Sequence, residues 1–140
     1  MTIRAASYAL RVVRRKAGTA AIVYRRSLKP NGTERLTRVA AIGPLAWSAG
    51  ATLLRAAVRD SGVARLEPGP FYPLEPAAGV RVACYALVAR GLRRAEALHH
   101  AADHLKRADD TEAAWWLGLM SGPKGRRAVR ALRILVEAVK

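Results

Sequence analysis

Apolar and polar positions alternate along the first third of the chain and then change period. Between Ser7 and Lys16, Tyr8, Leu10 and Val12 fall on one side and Arg11 on the other. A repeat of two residues is the mark of a half-buried strand. Thr19 to Ser27 continues it, with Ile22 and Tyr24 on one face and Val23 and Arg25 on the other. Glu34 to Ile42 reads as a third strand, with Leu36 and Ile42 on one face and Thr37 and Val39 on the other. Ala17-Gly18 predicts a tight reversal. Lys29-Pro30-Asn31-Gly32 predicts a turn, since Pro presets φ and Asn-Gly accepts positive φ. Short connections between neighbouring strands make an antiparallel meander. After Gly43-Pro44 the spacing becomes helical. Ser48 is a candidate N-cap for a helix through Leu53, Leu54, Ala57 and Val58 to Gly62.

Four prolines between Glu67 and Pro76 then rule out helix and central strand, and predict a connector. From Ala77 onward helices are expected over residues 79–91, 94–108, 110–120 and 123–139. Asp110-Thr111-Glu112 and Ser121-Gly122-Pro123 serve as starts, the second with Pro at the first helical position. The last helix is the most plainly amphipathic. Val129, Leu132, Leu135, Val136 and Val139 share one face, with Arg126, Arg130 and Arg133 on the other and Arg127 beside them. The expected fold is α+β in a single domain over residues 1–140. Residues 1–62 form a basic sheet plus helix, 63–76 the Pro-rich connector, and 77–140 a helical bundle.

Charge changes the picture most. The chain has 140 residues, net charge +15 and an isoelectric point near 11.4. Such a balance points to a polyanionic partner, above all nucleic acid. Arginine supplies 20 of the 25 basic residues, and its planar fork suits phosphate and base edges better than lysine does. The first 44 residues hold ten basic side chains and a single acid, Glu34. A GC-rich genome also writes Ala/Arg-rich chains with no partner behind them, and a one-sided antiparallel sheet commonly has a solvated outer face. A plain solvated face normally mixes charge signs, however, and this one does not. The residues expected to meet nucleic acid, with DNA favoured over RNA, are Arg11, Arg14, Arg25, Arg35 and Arg38 on the sheet and Arg126, Arg130 and Arg133 on the last helix.

Candidate chemistry is sparse. Cys84 lies in the apolar run Val82–Val88 and reads as a buried, inert thiol. Glu96, His100 and His104 form a row on one helix face. A linear row wraps a tetrahedral ion poorly, so a wet polar face is the better reading and no metal is expected. Ser121-Gly122-Pro123-Lys124 matches S-x-x-K formally, but the companion motifs of that chemistry are missing and Ser121 reads as a cap. No phosphate-binding glycine loop occurs. The expectation is a protein that is not an enzyme and needs no cofactor. No secretory signal or membrane span is visible, so a cytoplasmic location and no membrane partner are expected.

A resemblance joins these features. Leu10-Arg11-Val12-Val13, Gly18-Thr19 before Ile22-Val23-Tyr24-Arg25-Arg26, then Gly32-Thr33-Glu34-Arg35-Leu36-Thr37-Arg38, Gly43 and a helix from Ser48 resemble the N-terminal arm-binding domain of tyrosine integrases. The likeness covers about Tyr8 to Asp60. It implies a three-stranded sheet that enters the major groove and is followed by a helix. It does not bring recombinase activity, because the catalytic domain of that family is absent. The C-terminal half, Trp115-Trp116-Leu117-Gly118-Leu119 with Gly125 to Leu135, is similar to small bacterial proteins of anti-phage or mobile-element gene clusters. That implies the alternative role of an accessory interaction subunit in a nucleoprotein complex. Its anchors would be aromatic: Phe71 and Tyr72 in the connector, and Trp115 and Trp116. Adjacent Trp residues on a helix can send only one ring into a core.

Overall fold

The computed structural model describes residues 7–58 and 65–138. Strands β1 (Ser7–Arg15), β2 (Gly18–Leu28) and β3 (Glu34–Ile42) form the expected antiparallel meander. Gly18 turns the first corner at φ 130° and Gly32 the second at φ 86°, a region costly for any residue with a Cβ. The second turn is closed by Gly32 N–H donating to the Lys29 carbonyl (2.9 Å) and Lys29 N–H to that of Thr33 (2.7 Å). Asn31 Oδ1 accepts from the Thr33 hydroxyl (2.6 Å) and amide (3.1 Å).

The Pro-rich stretch is not a linker. It contains a fourth strand, β4 (Phe71–Leu74), paired antiparallel with β1 so that the sheet order is β3-β2-β1-β4. Proline excludes a central strand but not an edge, where one side of the backbone needs no ladder partner. Tyr72 and Leu74 alternate inward, and Phe71 and Pro73 outward.

Helix α1 (Pro44–Val58) starts four residues earlier than Ser48 predicts. Pro44 occupies the first helical position, and the Gly43 carbonyl accepts from Trp47 N–H (2.7 Å), which leaves Ser48 exposed inside the helix. The predicted end at Gly62 lies outside the described residues. Helix α2 (Pro76–Gly91) likewise begins before Gly79, directly from β4. Helices α3 (Ala95–Arg107), α4 (Asp110–Ser121) and α5 (Gly125–Ala138) follow, close to the expected spans. Asp109 caps α4 by accepting from Glu112 N–H at 2.7 Å. Pro123 lies in the turn before α5 instead of opening it. Leu135 is exposed, so the buried stripe of α5 is Ala128, Val129, Leu132 and Val136; Val139 lies outside the described residues.

Helices α1 and α2 cover one face of the sheet, and α3, α4 and α5 pack around α2. Val82 to Ala86 and Val88 of α2 are wholly buried, so this helix is apolar on nearly every side. Its approach depends on two glycines. A Cβ on Gly79 would strike the Tyr8 ring, and one on Gly50 of α1 would strike the Tyr85 ring. Tyr85 is fully buried, and its hydroxyl donates to the Ala46 carbonyl at 2.5 Å. Arg81, between Gly79 and Tyr85, ties α2 to the α3–α4 turn through the Ala108 carbonyl (2.6 Å) and Asp110 (2.7 Å). Among the described residues, no helix is long and apolar enough to cross a membrane.

Substituting Gly50 by Ala should therefore cost at least about 2 kcal/mol, an overpacking penalty against a ring with nowhere to go. Tyr85→Phe should cost about 1 kcal/mol for the lost hydrogen bond. Gly118→Ala meets no neighbouring atom on exposed α4 and should stabilise by up to about 1 kcal/mol. Urea unfolding of the three variants checks the order; a Gly50→Ala protein as stable as the parent would contradict the packing described.

Candidate nucleic-acid interface

Register decides which arginines share a face. The side toward α1 and α2 carries Tyr8, Leu10, Val12, Ala21, Val23, Ala40, Ile42, Tyr72 and Leu74, all buried. A β-bulge interrupts the β2–β3 ladder. Val23 pairs with Ala40 but Tyr24 pairs with Arg38, so Val39 is the extra residue. Strict alternation would put Leu36 on the side of Ile42. The bulge moves Leu36 and Arg38 to the outer face instead, opposite Arg26 and Tyr24. Arg11 joins them from β1, opposite Ile22, with Phe71 beyond it on β4.

The predicted sheet arginines are thus divided. Arg11 and Arg38 lie on the outer face, accompanied by Arg26, which is not among the residues expected from sequence. Arg14, Arg25 and Arg35 lie on the opposite face: Arg25 is across from Tyr8 and Thr37, and Arg35 across from Ser27. All three are nonetheless exposed, because the helices stop short of them. From Arg25 to Arg38 no residue is buried, so the far half of the β2–β3 hairpin is open on both faces; β1 pairs with Arg25 and Arg26 at its base, and from Ser27 onward it is a two-stranded ribbon among the described residues. Leu28 near its tip is 63% exposed.

The ribbon carries Arg25, Arg26, Lys29, Arg35 and Arg38 against one acid. That acid is neutralised within the ribbon. Arg26 Nε and Nη2 each donate to Glu34 at 2.8 Å, a bidentate pair. The bonds hold the Glu34 carboxyl below its ordinary pKa and push the Arg26 guanidinium up. Arg25, Lys29, Arg35 and Arg38 have no ion pair among the described residues.

Nearer the middle of the sheet the outer face becomes aromatic. The Arg11 guanidinium lies 5.3 Å over the Phe71 ring, and Tyr24 meets that ring at 5.6 Å with a 57° tilt. Arg11 Nε is buried without a hydrogen-bond partner among the described residues. The signal for Phe71 was the inward–outward alternation of Phe-Tyr-Pro-Leu, hidden by the flanking prolines.

The predicted interaction aromatics separate in pairs. Phe71 is 47% exposed, whereas Tyr72 is buried against the core and its hydroxyl bonds the Glu67 backbone. Trp115 is 56% exposed, whereas Trp116 is buried, its indole N–H donating to Glu112 at 3.2 Å. The two Trp rings meet edge to face at 4.8 Å. Tyr72 and Trp116 therefore hold the fold and are not surface anchors. Arg126, Arg130 and Arg133 are exposed as expected, but α5 packs on α2, α3 and α4 and lies in a different layer from the sheet. The fold does not merge the two basic stripes into one patch.

The residues weighed for chemistry stay apart or inert. His104 pairs with Glu112 across to α4 (2.5 Å) and His100 sits 3.7 Å from Glu96, with no metal-type cluster of three among the described residues. Cys84 is buried, its Sγ facing the Ala113 carbonyl at 3.4 Å. Burial pushes its pKa up to about 12, partly opposed by Arg81.

A family model described as a domain of unknown function (DUF7680) matches residues 8–138. No curated protein and no solved structure matches the chain.

Native protein should resist labelling of Cys84 by a thiol reagent at mildly alkaline pH and be labelled fully once unfolded in denaturant. The raised pKa leaves almost no thiolate, the reactive form, in the native state. Rapid labelling of the folded chain would show the thiol to be accessible and ionised.

Proposed function

The chain belongs to the DUF7680 family, and from its surface we propose that it is a non-enzymatic nucleic-acid-binding protein that engages double-stranded DNA. The observation that carries this reading is the β2–β3 ribbon, open on both faces from Arg25 to Arg38 and with its only acid tied to Arg26. A two-stranded ribbon fits a major groove about 12 Å wide. Inside it, Arg25 and Arg35 on one side of the ribbon and Arg38 on the other reach phosphates on both walls, with Lys29 at the tip. Arg11 and Arg14 extend the positive surface along β1. Binding then gains free energy by releasing counterions condensed on the phosphates. The resemblance to the arm-binding domain of tyrosine integrases supports the same mode, with a sheet in the groove. The exposed stripe of Arg126, Arg130 and Arg133 on α5 provides a second phosphate contact, to a distant turn of the duplex or to another duplex.

A second reading has an observation of its own. Trp115 and Leu119 lie one turn apart on α4, both exposed, and Ile134 and Leu135 are exposed on α5. Exposed apolar side chains on these two helices favour an accessory interaction subunit of an anti-phage or mobile-element nucleoprotein complex. Duplex DNA would then be bound weakly, and Trp115→Ala would abolish capture of the protein partner.

Titration of the protein into duplex DNA across a salt series tests the first reading. Affinity should fall steeply with salt. Arg25→Ala, Arg35→Ala and Arg38→Ala should each lower the log–log slope by about one unit per lost phosphate contact. Glu34→Gln should act in the opposite direction, tightening binding by freeing Arg26. Undetectable binding at low salt, or binding indifferent to salt, refutes the proposal.

A further inference from the structure

We propose that the aromatic centre of the outer sheet face holds unpaired bases, so that the preferred ligand is a duplex carrying a single-stranded overhang. This rests on the nucleic-acid reading above and specifies its substrate. Two chemically different stretches share this surface. At the ribbon, the groups between Arg25 and Arg38 are mainly cationic or polar and offer no ring. At the centre, Tyr24 and Phe71 stand together on the outer face, with Ile22, Val13 and Leu36 around them and Arg11 and Arg38 beside them in register.

Rings in this position have no use for a blunt duplex. Its base faces are stacked on one another, and only edges and phosphates are offered to a protein surface. An unpaired base exposes its π-face, and stacking on aromatic side chains is the general means of holding one. Phe71 keeps 47% of its surface open although Arg11 and Tyr24 already touch it. Arg11 makes no hydrogen bond or ion pair among the described residues, and it is held by the ring beneath it. A guanidinium parked on a ring beside an open aromatic surface supplies both parts that a nucleotide needs, a stacking partner and a donor for its phosphate.

Spacing joins the two stretches. From Tyr24 to Leu28 is four strand residues, roughly 13 Å at the usual rise. A strand leaving a duplex held by the ribbon can cross the platform within a few nucleotides. Charge argues against an apolar protein segment as the occupant: the arginines bordering the platform would be desolvated, and the one nearby acid is already paired with Arg26.

Fluorescence anisotropy at low salt with three probes tests this: a blunt duplex, the same duplex with a thymidine overhang, and the overhang strand alone. The overhang probe should bind roughly 5- to 150-fold more tightly than the blunt one, the range expected for one stacked base. Phe71→Ala should bring the ratio of the two affinities close to one, and Phe71→Tyr, which keeps the ring, should restore it. Should Phe71→Ala fail to fold, judged by its circular dichroism, Phe71→Leu keeps the bulk without the ring and should give the same loss. Equal binding of blunt and overhang probes by the parent protein, or an unchanged ratio in both the Ala and Leu variants, overturns this inference alone. No binding to any probe overturns it together with the reading beneath it.

Discussion

The structure depends on one requirement: α2 has to be covered on almost every side. Val82 to Ala86 and Val88 have no exposed surface, so the helix has no polar face to turn to water. A helix apolar all round is stable in water only at the centre of a core. The sheet and α1 cover it on one side, and α3, α4 and α5 on the others. Close approach is obtained by removing side chains at the crossings. Gly79 lets α2 sit on Tyr8, and Gly50 lets α1 receive the Tyr85 ring with its hydroxyl on the Ala46 carbonyl.

That burial sets the character of the surface. The apolar side of the sheet is used up under α1 and α2, and most of the charge of the N-terminal region is left on the outer face and on the uncovered ribbon. The helices end before Arg25 and Arg35, so even the arginines on the core side of the sheet reach solvent. The bulge at Val39 then brings Arg38 and Leu36 onto the side of Tyr24. Beyond the two outer aromatics the exposed ribbon is basic, and it is this ordering of aromatic centre and cationic tip along one surface that supports the functional reading.

Much of the architecture could be read from pattern. The three long strands follow from alternation and from turns whose glycines adopt positive φ, and four helices follow from spacing, although the cap of α4 is Asp109, one residue before the start expected at Asp110. The failures have identifiable causes. Ser48 looked like a cap, but Pro44 at the first helical position opened the helix a turn earlier. Prolines concealed β4, because its alternation spans only four residues and proline fits a strand only at a sheet edge. The bulge was invisible because one extra residue reverses every later side chain without altering composition.

The amino-acid sequence by itself determined the α+β order of elements, the excess of arginine, and that one ring of the Trp pair would be left outside. Those are properties of neighbouring residues, and periodicity, turn chemistry and charge report them directly. Tertiary structure alone decided which arginines stand together, that Phe71 lies beside Arg11 and Tyr24, and that Tyr72 and Trp116 turn inward. It also decided that the arginines of α5 belong to a different layer from the sheet. Each of these depends on pairing between segments distant along the chain, where a single shift of register or a helix ending one turn sooner changes which side chain meets water.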